Sequence, residues 1–244
     1  MKIAIIPVLF LPSLALAQGE ADWGYTGEKG PDHWAMLASD YETCAAGTMQ
    51  SPIDLKAANA AGDLQLDLAY YAVPLKVLNT GLTLQLDGQA GGGFTEAGEK
   101  FDLVQGHFHT PSEHVLDGKT YPAELHLVHK SADGKLAVLG ILIEEGAENA
   151  GLAALPVEFP KAGEEAAVEG ASFEPAKFLP EDRAIYRYSG SLTTPPCSEG
   201  VAWHVVKQPV TASAEQIAAL SKAMGENARP PQELHGRLLV EPAE

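Results

Sequence analysis

Basic residues are scarce in this chain: 16 Lys and Arg stand against 33 Asp and Glu, a formal net charge of −17. A surface of that sign repels phosphate backbones, which argues against nucleic acid as a partner. Long hydrophobic runs are missing except at residues 3–15, a stretch too short for a membrane span and interrupted by Pro7 and Pro12. Lys2 ahead of that run and Ala15-Leu16-Ala17 at its end give it the form of a signal peptide, residues 1–17, cleaved to leave a mature chain from Gln18. No cysteine follows the run, so neither lipid attachment nor another membrane anchor is expected. The expected location is periplasmic, or secreted. Cysteine itself is rare, with only Cys44 and Cys197. In an exported chain two thiols pair more readily than they serve as two reactive sites. A Cys44–Cys197 disulfide would pin the loop Thr193-Thr194-Pro195-Pro196 that leads into Cys197.

Internal repeats, low-complexity linkers and breaks in composition are absent too, so residues 18–244 read as a single domain. Strand signals dominate it. Leu64, Leu66 and Leu68 alternate with polar residues, as do Leu82, Leu84 and Leu86 before Asp87-Gly88. Residues 136–143 are nearly all apolar, the pattern of a central strand covered on both faces. Helices are fewer: Ser213-Ala214-Glu215-Gln216 is a capping-box pattern opening a helix that runs to about Met224, and a short one is expected over 150–155. The fold class is mainly β with short peripheral α-helices.

Three of the histidines carry a pattern. In a β-strand, residues i and i+2 project from one face, so His107 and His109 point together while Phe108 turns away. A neighbouring strand through Glu124-Leu125-His126 brings a third imidazole, with Glu124 and Val128 on the same face as His126. Three neutral imidazoles and one open position form the ligand set of a catalytic zinc. Such ligands donate their second ring nitrogen to an outer acceptor, and Gln105 and Glu124 share the ligand face to serve as those partners. A three-residue turn, Ala132-Asp133-Gly134 with Gly134 left-handed, sets Val128 opposite Val138, whereas a two-residue turn pairs Val128 with Leu139. The first register builds an apolar wall beside the metal, a place for a small nonpolar substrate. A carboxylate near such a metal can be a ligand, a base or an orienting group; with three histidines leaving the fourth position to water, Glu113 is given an outer role. His114 and His129 read as core histidines, and His33, His204 and His235 carry no usable signal.

Beyond these residues a wider set of segments stands in a familiar order. Trp23-Gly24-Tyr25, Gln50-Ser51-Pro52-Ile53, the H-x-H and S-E-H pair, Glu124–His129 and the S-L-T-T-P-P loop span Trp23 to Arg237 and resemble the α-class carbonic anhydrases, most closely the exported bacterial type. The resemblance implies a large, twisted, mostly antiparallel central sheet and zinc-dependent reversible hydration of carbon dioxide to bicarbonate and a proton. It implies that His107, His109 and His126 hold Zn2+, and that the fourth ligand is a hydroxide oriented by Thr193 and Glu113. A carboxylate only accepts, so Thr193 donates to Glu113 and is left to accept from the hydroxide. Val128, Val138, Leu192, Thr194 and Trp203 match the substrate pocket, and Tyr25 matches a residue of the ordered-water network. The only small-molecule partner implied is carbon dioxide or bicarbonate, and the oligomeric state is left open, a homodimer included.

Departures from the family pattern matter as well. In the fastest members an Asn-x-Gly segment is followed by a histidine that shuttles protons; here Asn79-Thr80-Gly81 is followed by Leu82, which cannot titrate. A donor of pKa ~7 giving its proton to bulk water turns over on the order of 10³ s⁻¹, against about 10⁶ s⁻¹ reached in the family. Hydration is therefore expected to be limited by proton transfer and to depend on buffer. Gly106 stands where an aromatic often precedes the first ligand, and Ala228 where a tryptophan is common. Two rival readings account for fewer of these residues. A cupin-type metalloenzyme accounts for His107, His109 and Glu113 but leaves Glu124–His129 and the Thr193 loop without a role. A non-catalytic carbonic anhydrase relative conflicts with the presence of all three histidines, Thr193 and Glu113.

Overall fold

The computed structural model describes residues 23–243, so the expected signal peptide at 1–17 lies outside the described residues. The strands that frame the site are β1 Val73–Asn79, β2 Leu84–Asp87, β3 Gly92–Glu96, β4 Glu99–His109, β5 Ala123–Ser131, β6 Leu136–Glu145, β7 Glu165–Phe173, β8 Ile185–Ser191, β9 Glu199–Val206 and β10 Leu239–Glu241. They belong to one 13-stranded sheet in which β10, β8, β9, β6, β5, β4, β2, β1 and β7 lie side by side. Every neighbouring pair along that path is antiparallel except β6 with β9. The sheet is mixed and mainly antiparallel, as expected. The helices are short: the longest among the described residues, Ala214–Met224, opens on the capping box of Ser213 and Gln216.

Some sequence expectations shift in detail. Leu64 and Leu66 pack against the core from outside any strand, because the ladder begins only where Asp67 meets Thr95. Leu82 also precedes its strand: the Thr80 hydroxyl accepts from the backbone N–H groups of Leu82 and Thr83 and holds them in a turn. The helix expected over 150–155 shrinks to a single 3₁₀ turn, Leu152–Ala154.

The two faces of the sheet are sorted by register. Val128 lies opposite Val138, and the turn between β5 and β6 has Gly134 at φ 86°, the left-handed residue of a three-residue loop. Directly opposed residues share a face, so the register His107–His126 and Val138–Trp203 lays ligand candidates and valines along one side. Phe108, Leu125, Leu127, Leu139 and Ile141 fill the core beneath the other. A bulge sharpens this sorting. Leu103 faces His129 but Gln105 faces Val128, so Val104 is left over. Straight alternation would put Leu103 with Gln105 and His107; the extra residue returns it to the core beside Phe108.

Candidate metal centre

His107 and His109 come from the last turn-free residues of β4 and His126 from the middle of β5, strands whose pairing sets His107 directly opposite His126. One ring nitrogen from each of the three lies within 4.8 Å of the others. The opposite ring nitrogens are already committed. His107 Nδ1 is 2.9 Å from Gln105 Oε1, His109 Nδ1 is 2.8 Å from the Asn227 carbonyl, and His126 Nε2 is 2.9 Å from Glu124 Oε1. All three partners are acceptors, so each imidazole places its proton outward and keeps a bare nitrogen, Nε2, Nε2 and Nδ1 respectively, facing inward. His109 Nε2 is buried and has no hydrogen-bond partner.

The electrostatics favour the same form. Burial pushes the pKa of His107 well below its ordinary value, and neighbouring His109 and His126 push it further. His109 falls to about 4 through burial, with the Asn227 carbonyl opposing, and His126 is lowered by burial against the pull of Glu124. Three neutral, converging imidazoles with fixed tautomers and an orphaned nitrogen among them fit a zinc ion. His114, Glu124 and His126 form a second close triple, all buried. There Glu124 is fully used: its Oε2 accepts the backbone N–H groups of Glu113 and His114, each at 2.9 Å, and its Oε1 meets His114 Nδ1 at 2.7 Å besides His126. This second triple is a hydrogen-bonded support for His126. Burial raises the Glu124 pKa, but His114 and His126 more than reverse it and hold the carboxyl well below its usual range. Gly140, opposite His126, makes room for it, since a Cβ there would stand 2.9 Å from Glu124 Oε1.

Glu113 and Thr193 are both buried beside the histidines. Glu113 Oε2 is 3.5 Å from His109 Nε2 and 3.9 Å from His126 Nδ1, and Oε1 accepts the Arg229 backbone N–H at 2.9 Å. Burial raises the Glu113 pKa to about 7, opposed by His126, the Arg229 N–H and the Thr193 hydroxyl. Glu113 Oε2 itself is buried without a hydrogen-bond partner. Val128, Val138, Leu192 and Trp203 fall in one apolar cluster, with the Trp203 ring 4.8 Å from that of His126. Thr194 is half-buried and its carbonyl accepts the Cys197 N–H at 2.9 Å. The Cys44–Cys197 disulfide is formed. Tyr25 packs edge-on against Trp23 and Trp34, its hydroxyl pKa raised by burial and by Glu113. Leu82 stands one link from the ligands: its carbonyl accepts from Asn227 Nδ2 at 2.9 Å, and the Asn227 carbonyl holds His109.

Several residues at the site were not singled out from sequence. Asn227 is a ligand support, and Arg229 joins three parts of the site, bonding through its guanidinium to Gln50 Oε1 and the carbonyls of Ser51 and Cys44. Their only sequence mark is the segment Asn227-Ala228-Arg229, noted for the alanine. His114 is buried as expected but is part of a network, its Nε2 2.7 Å from the Tyr188 hydroxyl, which lies 2.9 Å from Ser51 Oγ. Gly106 now has a reason: Phe173 Cζ lies 3.2 Å from the place of its missing Cβ, so an aromatic ring from β7 fills that space. Nothing in the structure explains Ala228.

A mixed sheet presents three converging histidines on one face, flanked by an apolar wall and a buried carboxylate, an arrangement able to hold a metal ion. The family model for eukaryotic-type carbonic anhydrase matches residues 29–242. A carbonic anhydrase of Nostoc sp. is 43% identical over 227 residues, covering 90% of this chain and 86% of its own. The structure of a hyperthermostable carbonic anhydrase from an active hydrothermal vent chimney superposes with a TM-score of 0.87 at 39% identity, covering 91% of this chain and all (100%) of the other. The α-carbonic anhydrase of Photobacterium profundum gives 0.83 at 42% identity, over 90% of this chain and 100% of its own. The chain belongs to the α-carbonic anhydrase family and is an enzyme of that kind.

Proposed function

We propose that the protein catalyses the reversible hydration of carbon dioxide to bicarbonate and a proton, with zinc held by His107, His109 and His126. The observation that carries this reading is the convergence of three bare imidazole nitrogens whose opposite nitrogens are tied to Gln105, the Asn227 carbonyl and Glu124. Zinc, when bound, supplies Lewis acidity, and its established effect in carbonic anhydrases is to bring the pKa of its water to about 7. The protein's own residues do the rest. Glu113 in its ionised form, anchored by the Arg229 N–H, would accept a hydrogen bond from the Thr193 hydroxyl, so that the Thr193 oxygen would face the centre as an acceptor and orient the attacking oxygen. Val128, Val138, Leu192 and Trp203 form a dry surface that suits a small molecule without hydrogen-bond donors. Leu82 offers no titrating group at the shuttle position, which makes proton export the slow step. Residues 18–244 act in this reading as one domain, exported after loss of residues 1–17. The test is stopped-flow hydration with metal analysis: one zinc per chain, activity abolished by chelator and restored by zinc, and turnover rising with buffer concentration. A redox metal with Glu113 among its ligands overturns the reading.

A further inference from the structure

Each hydration event releases a proton at the three-histidine centre, and that proton has to reach solvent past Leu82. The register of β2 against β4 points to a different exit. Gln85 is opposite His107 and Asp87 is opposite Gln105, so both share the ligand face, while Leu84 and Leu86 are buried on the other. Exposure rises along that face. His109 and His126 are buried and His107 and Gln105 half-buried, after which the Asp87 side chain is 35% exposed and that of Lys76, 3.6 Å away, 46%. The remaining carboxylates are placed differently. Glu113 and Glu124 are buried and anchored by backbone N–H groups, and Asp102 lies beyond the bulge, paired with Lys100 at 2.6 Å. Asp87 is a half-exposed carboxylate diagonal to His107, a separation of about 7–8 Å or somewhat less that one or two waters could span.

We propose that Asp87 receives the proton released at the histidine centre through water along the Gln85–Gln105 face and passes it to solvent buffer. The inference rests on the carbonic anhydrase reading. The step is balanced: the carboxylate gains the proton as a carboxylic acid and loses it to a buffer base, with no further reactant. An aspartate carboxylate is a far stronger base than water, so it accepts from a donor near 7 more readily, though less well than a matched imidazole. The groups facing Asp87 are the Lys76 ammonium from β1 and the Gln89 backbone N–H, which donates to Oδ1 at 3.1 Å. Removing that ammonium frees the carboxylate from its ion pair.

In weak buffer, Asp87→Asn should lower kcat roughly three- to tenfold, a modest effect for general-base transfer because carboxylate and donor are poorly matched. kcat/KM, which reads the hydration step, should hold, and imidazole at tens of millimolar should restore kcat. Lys76→Met should leave kcat/KM alone and raise weak-buffer kcat by up to about twofold. A second readout needs no turnover: carbon-13 NMR titration of the Asp87 carboxyl with and without zinc. A dication at this range should change that titration measurably. Unchanged weak-buffer kcat in Asp87→Asn, or identical titrations in the two forms, overturns the proposal. Zinc-loaded wild-type protein without any hydration activity would instead defeat the carbonic anhydrase reading, with the NMR comparison still testing whether Asp87 senses the centre.

Discussion

Replacing Glu124 by Gln should cripple zinc binding while leaving every ligand in place. Glu124 accepts four times, from the backbone N–H groups of Glu113 and His114 on Oε2 and from His114 and His126 on Oε1. A carboxylate has no donor, so both imidazoles turn an N–H toward it, and His126 keeps Nδ1 free for metal. A glutamine can give its single carbonyl to the two backbone groups, but its NH₂ then confronts two imidazole N–H groups. Either those donors stay unsatisfied in a buried site, at ~1–3 kcal/mol each, or His126 moves its proton to Nδ1 and blocks its own coordination. Loss of such an outer partner costs roughly 10- to 100-fold in metal affinity, or about 1.4–2.8 kcal/mol. Chelator competition reads zinc affinity directly, and a thermal melt of the zinc-free variant shows whether folding survives. A Kd for Glu124→Gln within about threefold of wild type would refute the tautomer argument.

Leu82→His should raise carbon dioxide turnover in weak buffer by at least about tenfold, with little change in strong buffer, since it places an imidazole near the donor's pKa at the expected shuttle position; stopped-flow assays at graded buffer concentrations check it. His129 is buried with its Nε2 2.9 Å from the Tyr70 hydroxyl, and burial pushes its pKa down to about 3. The unfolded chain therefore binds a proton that the folded one refuses between pH ~6.5 and 3, so this group's contribution is present above pH 6.5 and lost as pH falls, by up to ~1.4 kcal/mol per unit. Urea unfolding at several pH values should show a flatter profile for His129→Gln than for wild type, and equal slopes would contradict it. The disulfide closes a loop with a sequence separation of 153, worth at most about 5 kcal/mol by chain entropy. Replacing Cys44 and Cys197 by Ala should cost ~2–5 kcal/mol in denaturant titration.

What could be read from sequence was whatever depends on short-range periodicity. The alternation through His107 and His109, the pairing of His126 with Glu124 and Val128, and the glycine-dependent turn at Gly134 each follow from neighbours within a few residues. Harder to read were contacts that the chain makes only by closing on itself. Asn227 supports His109 across 118 residues, and Arg229 meets Glu113 across 116. The bulge was equally hidden, because Val104 looks like an ordinary member of an alternating strand. His114 shows a different limit: burial was anticipated, but its bond to Glu124 depends on how the Ser112-Glu113-His114 turn folds back over β5.

Val104, the spare residue in β4, gives that strand two different interiors. Ahead of it, Leu103 faces the apolar core; after it, the same parity of position belongs to Gln105, His107 and His109. Deleting Val104 would make Leu103 and Gln105 direct neighbours on a plainly alternating strand, in the register they already hold against His129 and Val128, so the half rotation between the two parts of the strand would be kept. Loss of this one exposed valine should thus cost the local twist of the bulge and leave both faces populated, whereas a second residue inserted beside it, if paired into the ladder, would swap the faces of one half of the strand. Anyone grafting this ligand pair onto another sheet should begin the transplanted segment at Gln105.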